Sequence, residues 1–154
     1  MMRVNQLISV VLFMRIEMSN RVAEVATKDS WESATPLPKL YCILDLNFTL
    51  NEKQTKRIKQ GFIPSFMDER WFFYYVNDIL YQHRSWTGHC IYQIHFVEVG
   101  AGLRATHAEV NRDTEQYSGK DDEQDKKIIE EMVMDIADML PGTRSEDYGS
   151  DRLM

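Results

Sequence analysis

This chain lacks the usual devices for holding nucleotide phosphates: it has no P-loop and no GxGxxG run. A strand-to-helix glycine cradle is therefore excluded. HExxH and His-x-His pairs are also missing, which removes the common catalytic zinc arrangements. Cysteine is scarce. Cys42 and Cys90 are the only two, and without spaced partners they form no zinc motif. Both sit in apolar, strand-like runs, so buried reduced thiols in a reducing cytosol are expected, with a disulfide between paired strands as the alternative. Positive charge is in deficit: 18 Lys and Arg against 24 Asp and Glu give a net charge of −6. Nucleic acid is thus not an expected partner. The cations Lys53, Lys56, Arg57 and Lys59 read as one solvated helix face.

Long apolar runs are also missing. Leu7–Met14, between Arg3 and Arg15, is too short to span a bilayer, and no small-residue cleavage pattern follows it. No membrane partner is expected. Residues 1–17 read either as an extension upstream of a start at Met18 or as a packed strand or short helix. Residues 1–38 together form an N-terminal extension and arm, closed by Thr35-Pro36-Leu37-Pro38. A single domain is expected over 39–142, followed by a frayed tail over 143–154.

What is present is strand material. Leu40–Leu46 suits a strand. Thr49 with Glu52 has the form of a capping box, which predicts a short helix from about Leu50 to Gln60, ending at Gly61. Trp71–Val76 is aromatic and favours a pleated surface. Asn77-Asp78 turns it into Ile79–Arg84, a hairpin without the usual second-position glycine. His89–Val99 and Leu103–Val110, joined at Gly100-Ala101-Gly102, add a second hairpin. Alternation places Cys90, Tyr92, Ile94 and Phe96 on one face of their strand, and Ile91, Gln93 and His95 on the other. A helix capped by Asp121 follows, with Ile129, Val133, Ile136 and Leu140 at helical spacing, ended by Pro141-Gly142. Asp121, Asp122, Glu123, Asp125, Glu130 and Glu131 read as its solvated acidic side. The fold class is α+β: an antiparallel sheet of about four or five strands with the C-terminal helix across one face.

Chemistry concentrates at the bend His83-Arg84-Ser85-Trp86-Thr87-Gly88. Arg84 offers a planar fork for phosphate or carboxylate. Ser85 and Thr87 add hydroxyls, Trp86 a stacking face, and Gly88 close backbone approach. Tyr81 and Tyr92, with Tyr75, are candidates to line the same region. The competing reading is structural: a turn in which Trp86 anchors the core and Arg84 pairs with an acid. His83, His89, His95 and His107 are expected to be packed or surface residues, and no cofactor or metal is expected. A direct His83–Ser85 nucleophilic pair is ruled out by spacing. Side chains two apart on a strand lie about 6–7 Å from each other.

Arg70–Tyr75, Leu80–Gly88 and Cys90–Tyr92 together resemble a small bacterial domain often labelled ADP-ribosyl-(dinitrogen reductase) hydrolase. The likeness covers about residues 67–110, and His83–Gly88 is its most specific string. The hydrolases of that name are all-helical and hold two divalent metals through clustered carboxylates, and no position here carries those ligands. The resemblance implies a small α+β module connected with ADP-ribose or NAD. Three functions are therefore carried forward: a nucleotide-type ligand module, a protein-interaction or accessory domain that forms a homo-oligomer or complex, and an ADP-ribosyl hydrolase.

Overall fold

A computed structural model describes residues 25–65 and 68–139. The chain runs β1 (Tyr41–Leu50), α1 (Glu52–Gln60), β2 (Trp71–Val76), β3 (Ile79–Arg84), β4 (Cys90–Val99), β5 (Gly102–Asn111) and α2 (Asp122–Ala137). The strands form one antiparallel sheet of five, in the order β1-β5-β4-β3-β2. The α+β class and the helix on one face match the sequence reading.

β1 and β2 lie at opposite edges of the sheet, so the β1–α1–β2 connection crosses a whole face. α1 and α2 pack on that face together, and Gln54 Nε2 donates to Asp138 at 2.9 Å. The main core lies beneath them. Ile58, Ile129, Val133 and Ile136 press on Leu44, Phe73, Leu80, Ile94 and Ala108. Burying each large side chain contributes about 1.5–3 kcal/mol. Leu140, Pro141 and Gly142, like the expected extension over 1–17 and the tail over 143–154, lie outside the described residues.

Local chemistry explains the element ends. Asn77 and Asp78 both take positive φ (52° and 63°), the type I′ geometry that matches strand twist. Asp121 accepts from the backbone N–H groups of Glu123 and Gln124, as its position implied. The cap of α1 differs from expectation. Asn51 and Gln54 make the reciprocal box, while Thr49 stays in β1. The reason is that β1 pairs with β5 as far as Leu50, four residues beyond its apolar run.

Four side-chain assignments also differ. A bulge opposite Gln82 inserts Ile91 between the pairs Gln82↔Tyr92 and His83↔Cys90. Ile91 therefore joins the main core, and Cys90 shares the register of His83 rather than that of Tyr92. Arg57 is buried rather than solvated, and donates to the Gly61 carbonyl at 2.7 Å. Asp125 is also buried (1% exposed), because it anchors a polar network.

The second sheet face has a smaller core. Phe72 and Tyr74 are buried there under Ala26, Trp31, Ala34 and Ile63. Within the N-terminal arm, residues 26–35 thus pack against the sheet, and Thr35 forms a bridge to His89. On the rest of this face Tyr41 and Ile43 are exposed. Cys42 and Cys90 are both free thiols, and burial pushes the Cys90 pKa up to about 12. No helix among the described residues is long and apolar enough to cross a membrane.

Candidate functional site

The His83–Gly88 bend closes the end of β3. Gly88 N–H donates to the Arg84 carbonyl at 2.8 Å, and Arg84 N–H donates to the His89 carbonyl at 2.9 Å. Several residues hold the bend without facing a ligand. Ser85 is buried, and its Oγ donates to the Glu69 carbonyl at 2.6 Å. Trp31 Nε1 donates to the Ser85 carbonyl at 2.9 Å. Gly88 has φ +78° and lies against the Ser33 carbonyl, so an added Cβ would sit 1.7 Å from that oxygen. His83 is buried, with Nδ1 donating to the Gly88 carbonyl at 3.0 Å. Burial lowers the His83 pKa, and the Gly88 hydrogen bond opposes this only in part.

Held this way, the bend projects Trp86 into solvent (69% exposed) and Thr87 beside it. Together with Arg84, Arg70 and Gln116 they line a cavity of about 360 Å³. That volume is within the usual range for small-molecule sites. The cavity lies between the β2–β3 end and the β5–α2 connection. Behind it is an aromatic stack. The Arg84 guanidinium sits 4.3 Å from the centroid of the Trp71 ring, and Trp71 stacks with Tyr92 at 6.1 Å.

The free polar groups of this cavity are donors. Arg84 and Arg70 have no carboxylate partner among the described residues. Thr87 Oγ1 already accepts from His89 N–H at 3.3 Å, which leaves its hydrogen to give. The Gln116 carbonyl oxygen accepts from Asn111 Nδ2 at 2.9 Å, which leaves the amide NH2. The Arg84 pKa is pulled down mainly by burial and further by the like charge of Arg70, while Tyr117 and Tyr92 act the other way. Such a site favours an anion, which would relieve the repulsion and accept the donors.

The six residues of the bend singled out from the sequence divide into two groups, and the two tyrosines join neither. Arg84, Trp86 and Thr87 line the cavity, whereas His83, Ser85 and Gly88 hold the bend. Tyr81 lies on the opposite face, stacked on Tyr74 at 4.6 Å. Tyr92 lies inside, where its hydroxyl donates to Asp125 Oδ1 at 2.8 Å. Asp125 also receives the Tyr117 hydroxyl and Arg112 Nη2 at 2.5 and 2.7 Å.

Sequence reading missed Arg70 and Gln116. Arg70 had a usable signal, since it precedes Trp71, which the hairpin register sets opposite Arg84. Gln116 sits in a polar connection that carries none. Elsewhere His95 and His107 stack at 4.2 Å, and His95 Nε2 contacts Glu109. No grouping of His, Cys, Asp or Glu among the described residues is suited to a metal. No family model, curated protein or solved structure matches this chain.

Proposed function

We propose that this chain is a binding module for an anionic, nucleotide-type ligand of the ADP-ribose or NAD class, acting in the cytoplasm. One observation carries the reading: two guanidiniums, Arg70 and Arg84, meet in a cavity whose free polar groups are donors and whose rim is an exposed indole. Arg84 and Arg70 engage the phosphate, Thr87 and Gln116 complete its hydrogen bonds, and Trp86 stacks on the base. The motif likeness at His83–Gly88 supports the nucleotide class. A binding role is favoured over hydrolysis because the described lining residues (Arg70, Arg84, Trp86, Thr87 and Gln116) include neither a carboxylate to act as base nor a metal-ligand set.

The test is thermal shift with ADP-ribose, NAD and inorganic phosphate, with and without magnesium. A ligand at 100 times its dissociation constant stabilises by about 2.7 kcal/mol. The shift should appear without magnesium and vanish in Arg84→Ala. No shift with any of the three overturns the proposal. Release of ADP-ribose from a modified substrate would replace it with the hydrolase reading.

A further inference from the structure

The two edges of the sheet are treated differently. β2 is closed by Phe62, which exchanges two backbone hydrogen bonds with Phe73 at 2.9 and 3.0 Å. Among the described residues β1 has no such cover. Its pairing fixes which groups point outward. Arg112 N–H donates to the Leu40 carbonyl at 2.8 Å, so Leu40, Cys42 and Leu44 occupy the hydrogen-bonded positions against β5. Tyr41, Ile43 and Asp45 then aim their N–H and C=O groups away from the sheet, and no other hydrogen bond among the described residues uses them. Their side chains share the second sheet face and are exposed. Ile43 is 62% exposed and Tyr41 45%. A long edge with free backbone groups and exposed apolar side chains is a template for strand addition.

We infer that β1 pairs antiparallel with β1 of a second copy of this chain, joining two five-stranded sheets into one across a two-fold axis. The sequence of the edge is self-complementary in one register. Centred on Cys42, it sets Tyr41 against Ile43 of the second copy, an aromatic–β-branched pair. It also sets Lys39 against Asp45, an opposite-charge pair. Each pair occurs twice by symmetry, as an isologous interface requires. Tyr41 and Ile43 fall on the hydrogen-bonded positions of the new ladder. The two Cys42 residues fall on the close, non-hydrogen-bonded one, where Cα atoms are about 4.5 Å apart and a disulfide is sterically allowed.

The test is sedimentation of the full chain from low micromolar to submillimolar concentration, with crosslinking by diamide. A concentration-dependent dimer is expected, with a covalent dimer that disappears in Cys42→Ser; Cys90 is fully buried and does not compete. Ile43→Pro removes an outward donor without touching the β1–β5 ladder, and should leave a folded monomer by circular dichroism. Should that variant misfold, Asp45→Lys gives the second arm. It should weaken the dimer at least tenfold, and adding Lys39→Asp should restore it. A chain that stays monomeric throughout overturns the inference. So does a dimer that forms no Cys42 crosslink, or one that ignores both substitutions. A monomer that takes up an extended peptide along β1 would assign the edge to another partner.

Discussion

Arg84 and Trp71 face each other across the β2–β3 hairpin, with the guanidinium carbon 4.3 Å from the ring centroid. A cation on an indole face gains about 0.5–2 kcal/mol, yet the contact consumes none of its five N–H donors. Arg84 is thus positioned by its flat face while its edge stays available. Arg84→Ala should abolish the ligand-induced shift at a stability cost of about 1–2 kcal/mol, and Arg84→Lys should restore the charge but only a fraction of the affinity. Urea midpoints separate the stability change from the binding change.

Asp125 gathers Arg112, Tyr92 and Tyr117 while almost wholly enclosed. Burial alone would lower the Arg112 pKa, but the hydrogen bonds it donates to Asp122 and Asp125 reverse this and raise it. Asp125→Ala would leave Arg112 to Asp122 and the two hydroxyls to each other, and loss of the hydrogen bonds to the buried carboxylate should cost about 1.5–3 kcal/mol. Tyr117→Phe should cost only about 1 kcal/mol, since the Tyr92 hydroxyl keeps the carboxylate. Chemical denaturation of the two variants checks the ratio.

His83 gives a pH signature. Its folded pKa lies below the ordinary 6.5, chiefly through burial, so the unfolded chain binds the proton more readily. Stability is full above pH 6.5 and declines as pH falls from there towards the folded pKa. It levels off below both. His83→Gln should flatten that slope, read as melting temperature against pH, whatever its effect on absolute stability.

Gln82 is fully buried, and neither amide atom has a hydrogen-bond partner among the described residues. Leaving such a group unsatisfied costs about 1–3 kcal/mol. Gln82→Met keeps the length and removes the polar atoms, so it should raise the urea midpoint without changing its slope.

The elements were readable wherever period and punctuation agreed. Trp71–Val76, the Asn77-Asp78 turn and the Asp121 cap all follow from local chemistry. The failures came from pairing at a distance. Ile91 alternates as an outward residue in sequence, and only its bulge against Gln82 turns it inward. Asp125 and Arg57 look solvated in a charged helix pattern. What removes them from water is distant in sequence: Asp125 meets the Tyr92 hydroxyl, 33 residues away, and Arg57 lies against the Met139 sulfur, 82 residues away. The site divided in the same way. The motif string marked Arg84, Trp86 and Thr87, but Arg70 and Gln116 reach the cavity through tertiary folding alone.

The seat of Gly88 on Ser33 and Thr35 joins positions 53 residues apart. Closing a span of that length costs loop entropy, which is recovered only once the intervening sheet exists. The Trp86 rim should therefore be the last part of the molecule to set during folding and the first to release on warming. Amide exchange at Thr35 and Gly88 would register that release well below the global melt, and an occupied cavity would delay it.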